Sequence, residues 1–195
     1  MLKIPNKWFF LDVKVKKSTR IFHTITDKYG IIFYNKEYHK NSILHNETNQ
    51  LMNICKSKNI SFLLYGSVSA AIKNKALGIY MPLDQYSSKT KNKLDYINNK
   101  SKIIYATSVH NKKEILISNK LKYDLVFISP AFKTKTHIDM RPHNPIKFIS
   151  LSKYPNSKIF ALGGVNDSNY RFLKNKHLKG FGAITYFNDL KKKIN

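Results

Sequence analysis

Lys158-Ile159-Phe160-Ala161-Leu162-Gly163-Gly164-Val165, then Asn166-Asp167-Ser168-Asn169, then a second apolar run Gly180-Phe181-Gly182-Ala183-Ile184-Thr185: the reading of this 195-residue chain turns on these segments. Four apolar residues ending in a glycine pair read as a buried strand running into a turn. Asp and Ser after the turn, with the run 170–176 behind them, predict a helix whose first amides lie uncovered where the helix dipole is positive. Such a place suits a phosphate. The second run, rich in glycine and closed by the hydroxyl of Thr185, aims further donors at the same anion. In (β/α)₈ barrels the shared phosphate site is built by the loops after the seventh and eighth strands. The competing reading is an ordinary Gly-Gly turn between any strand and any helix.

The rest of the chain supplies the units a barrel needs. Short apolar runs at 8–11, 31–34, 60–65, 77–81, 102–108 and 125–129 read as six earlier strands, giving eight with the two just described. Helical segments separate them. Ser18 is placed to cap a helix with Ile21, Phe22, Ile25 and Tyr29 on one face, ended by Gly30, with a strand over 20–26 as the alternative. Ser42 opens a longer helix with Ile43, Leu44, Leu51, Ile54 and Cys55 inward. Further helices are expected over 68–74, 89–99, 110–122 (Ile115, Leu116 and Leu121 inward), through Ile146, Ile149 and Leu151, and over 188–194. Strands alternating with helices give parallel βαβ units, and eight right-handed units close into a barrel. The expected fold is therefore an α/β (β/α)₈ TIM barrel, a single compact domain over 1–195. A doubly wound open sheet is the alternative. Barrels usually need about 250 residues, so the loops here must be short.

Composition narrows the possibilities. A hydrophobic share of 42% with 12 Phe and 12 Tyr excludes disorder. The net charge of +24 raises nucleic acid or an anionic surface as a partner, but lysine is scattered through nearly every segment rather than gathered on one stripe. Nucleic-acid binding is accordingly not expected, whereas small anionic ligands are. The one cysteine, Cys55, rules out an intrachain disulfide and fits a reducing compartment. No apolar run is long enough to cross a bilayer and the first residues do not read as a signal peptide, so no membrane partner and a cytoplasmic location are expected. A homodimer is compatible with the sequence.

A barrel gathers its functional groups at the C-terminal ends of its strands. Here that rim carries hydroxyls, cations and backbone donors, with few carboxylates. The sixth loop, Phe127-Ile128-Ser129-Pro130-Ala131-Phe132-Lys133-Thr134-Lys135-Thr136-His137, places two hydroxyls and a lysine beside the two proposed phosphate loops. Taken with Gly163-Gly164, Ile184-Thr185 and Ser108-Val109-His110, it resembles the thiamine phosphate synthase and thiazole tautomerase (TenI-like) superfamily. In that family the sixth strand carries small-Pro-x-Phe-x-Thr-x-Thr, the seventh ends in Ala-Ile-Gly-Gly-Ile, the eighth ends in Ser, and the fifth carries Ser-Val/Thr-His. The likeness covers 102–187; the first half agrees only in its rhythm of strands and helices.

The resemblance implies an enzyme of thiamine biosynthesis that holds a thiazole phosphate or the thiamine phosphate product. Thr134, Lys135, Thr136, Gly163, Gly164, Ile184 and Thr185 would line that site, and Ser108 would contact the pyrimidine pyrophosphate. The partners implied are phosphorylated thiazole and pyrimidine molecules. Where the family has Gln-x-Arg-x-Lys this chain has Ile32-Phe33-Tyr34-Asn35-Lys36, leaving Lys36 as the retained cation. Tyr65-Gly66 stands where an Asn-Asp pair is expected, and Asp84 is displaced from the place of the second magnesium carboxylate. His137 replaces the family lysine. No cofactor is fixed by the sequence; magnesium belongs to the synthase reading, because ionising a pyrophosphate ester needs charge offset at the leaving group. A metal-free isomerase of a thiazole phosphate needs only an acid or base beside a phosphate anchor, for which His110 and His137 are the candidates. A non-catalytic phosphate-ligand-binding barrel is the reading from outside enzymology.

Overall fold

Strands in a parallel barrel bury both faces, so unbroken apolar runs mark them. In the computed structural model, whose described residues are 4–12, 22, 25–34, 42–83, 103–134, 141–184 and 186, these runs are strands. They are β1 (Lys7–Leu11), β2 (Tyr29–Phe33), β3 (Ser61–Tyr65), β4 (Gly78–Tyr80), β5 (Ile104–Val109), β6 (Leu125–Ile128), β7 (Lys158–Leu162) and β8 (Leu178–Ala183). Each pairs in parallel with the next. β8 returns to β1, with Lys7 opposite Phe181 and Phe9 opposite Ala183, and the sheet closes into an eight-stranded barrel. The barrel reading holds and the open sheet is excluded.

Alternation along each strand sorts the core into two parts. Trp8 and Phe10 of β1, Phe127 of β6 and Phe160 of β7 fill the barrel. Phe9, Leu11, Ile31, Phe33, Val126 and Ile159 point outward into the larger cluster beneath the helices. Trp8 meets Phe127 and Phe160 edge-on at 6.5 and 6.4 Å, and the two phenyl rings stack at 5.2 Å. So many rings fit because residues opposite them are small. A Cβ on Gly30 would lie 2.5 Å from the Trp8 ring, and one on Gly182 would lie 2.8 Å from Phe10.

That crowding corrects one expectation. Gly30 does not stop a helix carrying Tyr29; both residues belong to β2, paired with Lys7 and Trp8. Much of the segment around Ser18, with the predicted helices over 89–99 and 188–194, lies outside the described residues.

The helices Ser42–Ser57, Val68–Lys73, Lys112–Lys120 and Pro145–Leu151 return the chain between strands. Ser67 and Asn144 cap the second and fourth by accepting the amides of Ala70 and Lys147. Two inward assignments change. Leu116 is 53% exposed while Ile115 and Ser118, one turn apart, are buried. Ile54 is likewise half-exposed, and Met52 with Thr48 takes its place inside.

The helix expected over 170–176 is a single 3₁₀ turn, Tyr170–Leu173. Asparagine side chains explain the shortfall. Asn166 Oδ1 accepts the amides of Ser168 and Asn169, and Asn175 Oδ1 accepts that of His177, so the backbone closes local turns on either side of the segment.

Candidate functional site

The loops after β6 and β7 are joined by backbone hydrogen bonds. Ala131 N donates to Leu162 O at 2.8 Å and Phe132 N to Gly163 O at 2.9 Å, which continues the β6–β7 pairing beyond the strands. Gly163 and Gly164 both adopt positive φ, +88° and +66°, where a Cβ is strained. A Cβ on Gly164 would also overlap the Lys133 carbonyl oxygen. The pair is therefore required twice, for the turn and for the approach of the two loops.

At the C-terminal mouth these loops border a cavity of 220 Å³. Its walls include Thr134, Leu162, Gly163, Gly164, Val165, Ala183 and Ile184, together with Ser108, His110, Ser129, Phe10, Tyr34 and Tyr80. Six sequence-predicted residues thus meet here: Ser108, His110, Thr134, Gly163, Gly164 and Ile184. β8 ends two residues before the predicted boundary, which leaves Ile184 immediately beyond the strand. Lys36, Lys135, Thr136, His137 and Thr185, with Asp84, lie outside the described residues.

The anion-binding argument changes in one respect. With only a 3₁₀ turn after β7 there is no helix dipole to invoke, and the amides of Asn166, Ser168 and Asn169 are already taken by asparagine side chains. The Asn169 side chain further ties this turn to Gly164 O at 2.8 Å. Gly164 and Val165 border the cavity, and their amides carry no hydrogen bond among the described residues.

His110 is held by a group that the sequence reading passed over. Glu114 Oε2 accepts the His110 amide at 2.8 Å and pairs with Nδ1 at 2.9 Å. Its other oxygen accepts from the Asn111 side chain at 2.6 Å, while Asn111 Oδ1 caps the Glu114 amide at 3.0 Å. This reciprocal capping box opens the Lys112–Lys120 helix, and its Asn-x-x-Glu signature is present in the sequence. With Nδ1 occupied, Nε2 is the ring nitrogen left for a ligand.

His143 is a second histidine that sequence reasoning missed. Its amide donates to Pro130 O at 2.9 Å, and the residue is 8% exposed. Burial, then the charge of Lys147, push its pKa down, against hydrogen bonds to the backbone of His110 and Ser129. It packs between the fifth and sixth strand ends, against the backbone of His110 and Ser129.

Tyr80 donates to Ser108 Oγ at 2.8 Å, which fixes that hydroxyl and leaves its own proton for a ligand. Magnesium is bound through carboxylate oxygens and waters. The described cavity wall supplies hydroxyls, an imidazole and aromatic rings instead, and no group of three or more His, Cys, Asp or Glu that could hold a metal occurs among the described residues. The described wall does not fit the ion.

A wider hollow of 580 Å³ lies at the opposite, N-terminal end, beside Cys55, Lys56, Ser61, Lys75 and Ile103. Burial raises the Cys55 thiol to about 12, so it stays protonated and unreactive. No loop convergence like that at the mouth occurs among the described residues there.

A family model described as thiamine monophosphate synthase matches residues 19–186. A thiamine-phosphate synthase of Prochlorococcus marinus subsp. pastoris is 32% identical over 139 residues, 71% of this chain and 38% of that protein. One from Methanosarcina barkeri is 25% identical over 166 residues, covering 83% of this chain and 73% of that protein. The chain thus spans about two fifths of the Prochlorococcus relatives it matches. Among solved structures, thiamine phosphate pyrophosphorylase from Pyrococcus furiosus aligns over 96% of this chain and 94% of its own, with a TM-score of 0.70 and 15% identity. A 3-keto-L-gulonate-6-phosphate decarboxylase from Vibrio cholerae aligns over 98% of both chains, with a TM-score of 0.64 and 11% identity. These two structural likenesses concern the fold alone.

Proposed function

We propose, from the premise that this chain belongs to the thiamine monophosphate synthase family, that it is an enzyme of thiamine biosynthesis holding a phosphorylated thiazole at the loops after β6, β7 and β8. One observation carries the reading: Thr134, Gly164 and Ile184, from three separate loops, border the same cavity as Ser108 and His110. The phosphate would take the amides of Gly164 and Val165 and the Thr134 hydroxyl, with Lys135, Thr136 and Thr185 as further ligands. Gly163, by its positive φ, sets the path of that loop.

The reaction proposed is coupling to a phosphorylated pyrimidine. The thiazole nitrogen forms a bond to the pyrimidine methylene carbon as the carbon–oxygen bond to pyrophosphate breaks, and the bonding pair leaves with pyrophosphate. The protein orients the two partners and excludes water; Ser108 and Lys36 are assigned to the departing group. Magnesium would supply charge offset for that step, but the described wall offers it no carboxylate, so nothing here is routed through the ion. The setting proposed is the cytoplasm, and no helix among the described residues is long and apolar enough to cross a membrane.

The His110–Glu114 pair favours a second reading, a metal-free isomerisation of the thiazole phosphate. Glu114 fixes the imidazole so that Nε2 takes a ring proton and returns it elsewhere, with His137 as partner. One assay separates the two. Purified protein with both substrates and magnesium releases pyrophosphate if coupling is right; proton exchange into thiazole phosphate in the presence of chelator, without pyrophosphate release, selects isomerisation. Neither activity in a folded sample that binds thiazole phosphate would leave a ligand-binding barrel.

A further inference from the structure

The carboxylate in the loop after β7 takes no part in the proposed chemistry, yet it joins three parts of the barrel. Asp167 Oδ1 pairs with Lys7 Nζ at 2.7 Å, and Oδ2 accepts from the Tyr186 hydroxyl at 2.6 Å. The start of β1, the loop after β7 and the segment after β8 therefore meet at one side chain. Rings surround the junction: Lys7 Nζ lies 5.8 Å from the centre of the Tyr29 ring and 5.7 Å from that of Phe181, and Phe181 meets Tyr170 at 5.3 Å and Tyr186 at 5.9 Å. Phe9, on the same face of β1 as Lys7, and Phe181 both belong to the cluster outside the strands, so the junction stands behind the mouth and not within it.

Charge fixes the direction of the bond. Burial alone would raise the Asp167 carboxyl, but the hydrogen bonds from Lys7 and Tyr186 hold it below the ordinary carboxylate value. Burial and the same carboxylate push the Tyr186 phenol up. At neutral pH an ionised carboxylate accepts and a phenol donates. The junction also adjoins both halves of the proposed phosphate site. Asp167 is three residues beyond Gly164, whose carbonyl oxygen is held by Asn169, and Tyr186 is two residues beyond Ile184, with Thr185 between them in sequence. Gly164 and Ile184 border the cavity. An ion pair as exposed as that of Lys7 and Asp167 adds little to overall stability, so its consequence is local.

We propose that Asp167 and Tyr186 are positioning residues for the anion: their hydrogen bond, backed by Lys7, sets the spacing between the loop after β7 and the segment after β8, so that donors from both reach one phosphate. The proposal rests on the function above for the place of that phosphate.

Calorimetric titration of the whole chain with inorganic phosphate tests it. Tyr186→Phe keeps the ring against Phe181 and removes only the donor; it weakens phosphate binding about fivefold, the scale of one hydrogen bond, with a melting temperature within about 4 °C of wild type. Asp167→Ala weakens binding at least as much, and the double variant binds no more weakly than Asp167→Ala, because both substitutions break the same bond. Charge alone predicts the opposite, since removing a carboxylate near an anion site favours the anion. Asp167→Asn, which keeps an oxygen to accept from Tyr186, recovers most of the loss. Wild-type affinity in folded Tyr186→Phe, tighter binding in Asp167→Ala, or single losses that add in the double variant would overturn the proposal and leave the phosphate site standing. Tyr186→Phe decides by itself where an Asp167 variant does not fold. Absence of phosphate binding by the wild-type chain would reject the phosphate site, and the proposal with it.

Discussion

Glu114 and His110 show how much one side chain decides at the mouth of this barrel. A carboxylate that pairs with Nδ1, accepts the His110 amide and is itself braced by Asn111 fixes both the tautomer and the direction of the ring. For the isomerisation reading, His110→Ala is expected to lower kcat about a hundredfold, the scale of acid–base catalysis. Glu114→Ala is expected to lower kcat about tenfold with KM nearly unchanged, and Glu114→Gln to recover part of it because its amide oxygen still accepts from Nδ1–H. Steady-state kinetics check this; a Glu114→Ala enzyme changed only in KM would contradict it. His143 gives a prediction of a different kind. The fold holds it neutral, with its pKa below the ordinary value of about 6.5. The unfolded chain therefore takes up a proton first, and the stability this residue contributes is complete above about pH 6.5 and lost as pH falls through the lowered folded value. The titratable groups acting on it are Lys147 and His110. Melting temperatures at pH 5 and pH 7.5 are expected to differ more in wild type than in His143→Asn; identical differences would contradict the assignment.

At the scale of elements, the glycine pair after β7 matters because two loops share one set of hydrogen bonds. Gly164→Ala places a Cβ at φ +66° against the Phe132–Lys133 backbone. The expected loss is about 1–3 kcal/mol in urea unfolding, together with weakened ligand binding. Full stability with full affinity would show that the loops do not depend on each other. The same loops mark what the sequence could and could not say. Strands were readable because both faces of a barrel strand are apolar, so Trp8 to Leu11 or Leu125 to Ile128 cannot be anything solvated. The connection after β7 was misread because Asp and Ser look like a helix start, whereas Asn166, Asn169 and Asn175 spend their side chains on local turns. Gly30 was misread because its need, space for Trp8, lies on another strand. Tyr34 was visible only as a departure from the family pattern and Tyr80 only as part of the fourth apolar run at the rim, since nothing local announces that strands so far apart in sequence will bring their rings within 5.7 Å. Glu114 was readable in principle, through its Asn-x-x-Glu cap, and His143 was not.

For the whole molecule the governing quantities are closure and charge. Closure of β8 on β1 brings loops that are distant in sequence to one rim, which is why residues from 10 to 184 can share a single cavity. The net charge of +24 acts against the compact state through self-repulsion. Salt is therefore expected to raise the melting temperature between low ionic strength and about 0.15 M, where the screening length falls to about 8 Å. A melting temperature that falls over this range would mean that specific ion pairs outweigh the repulsion.

The central claim is that the mouth, not the hollow at the other end, receives a phosphorylated ring. Amide NMR during titration with hydroxyethylthiazole phosphate measures that directly. The account predicts saturable shifts at Gly163, Gly164, Val165 and Thr134, joined by Ser108 and His110. Shifts confined to Cys55, Ser61, Lys75 and Ile103 at the N-terminal end would contradict it.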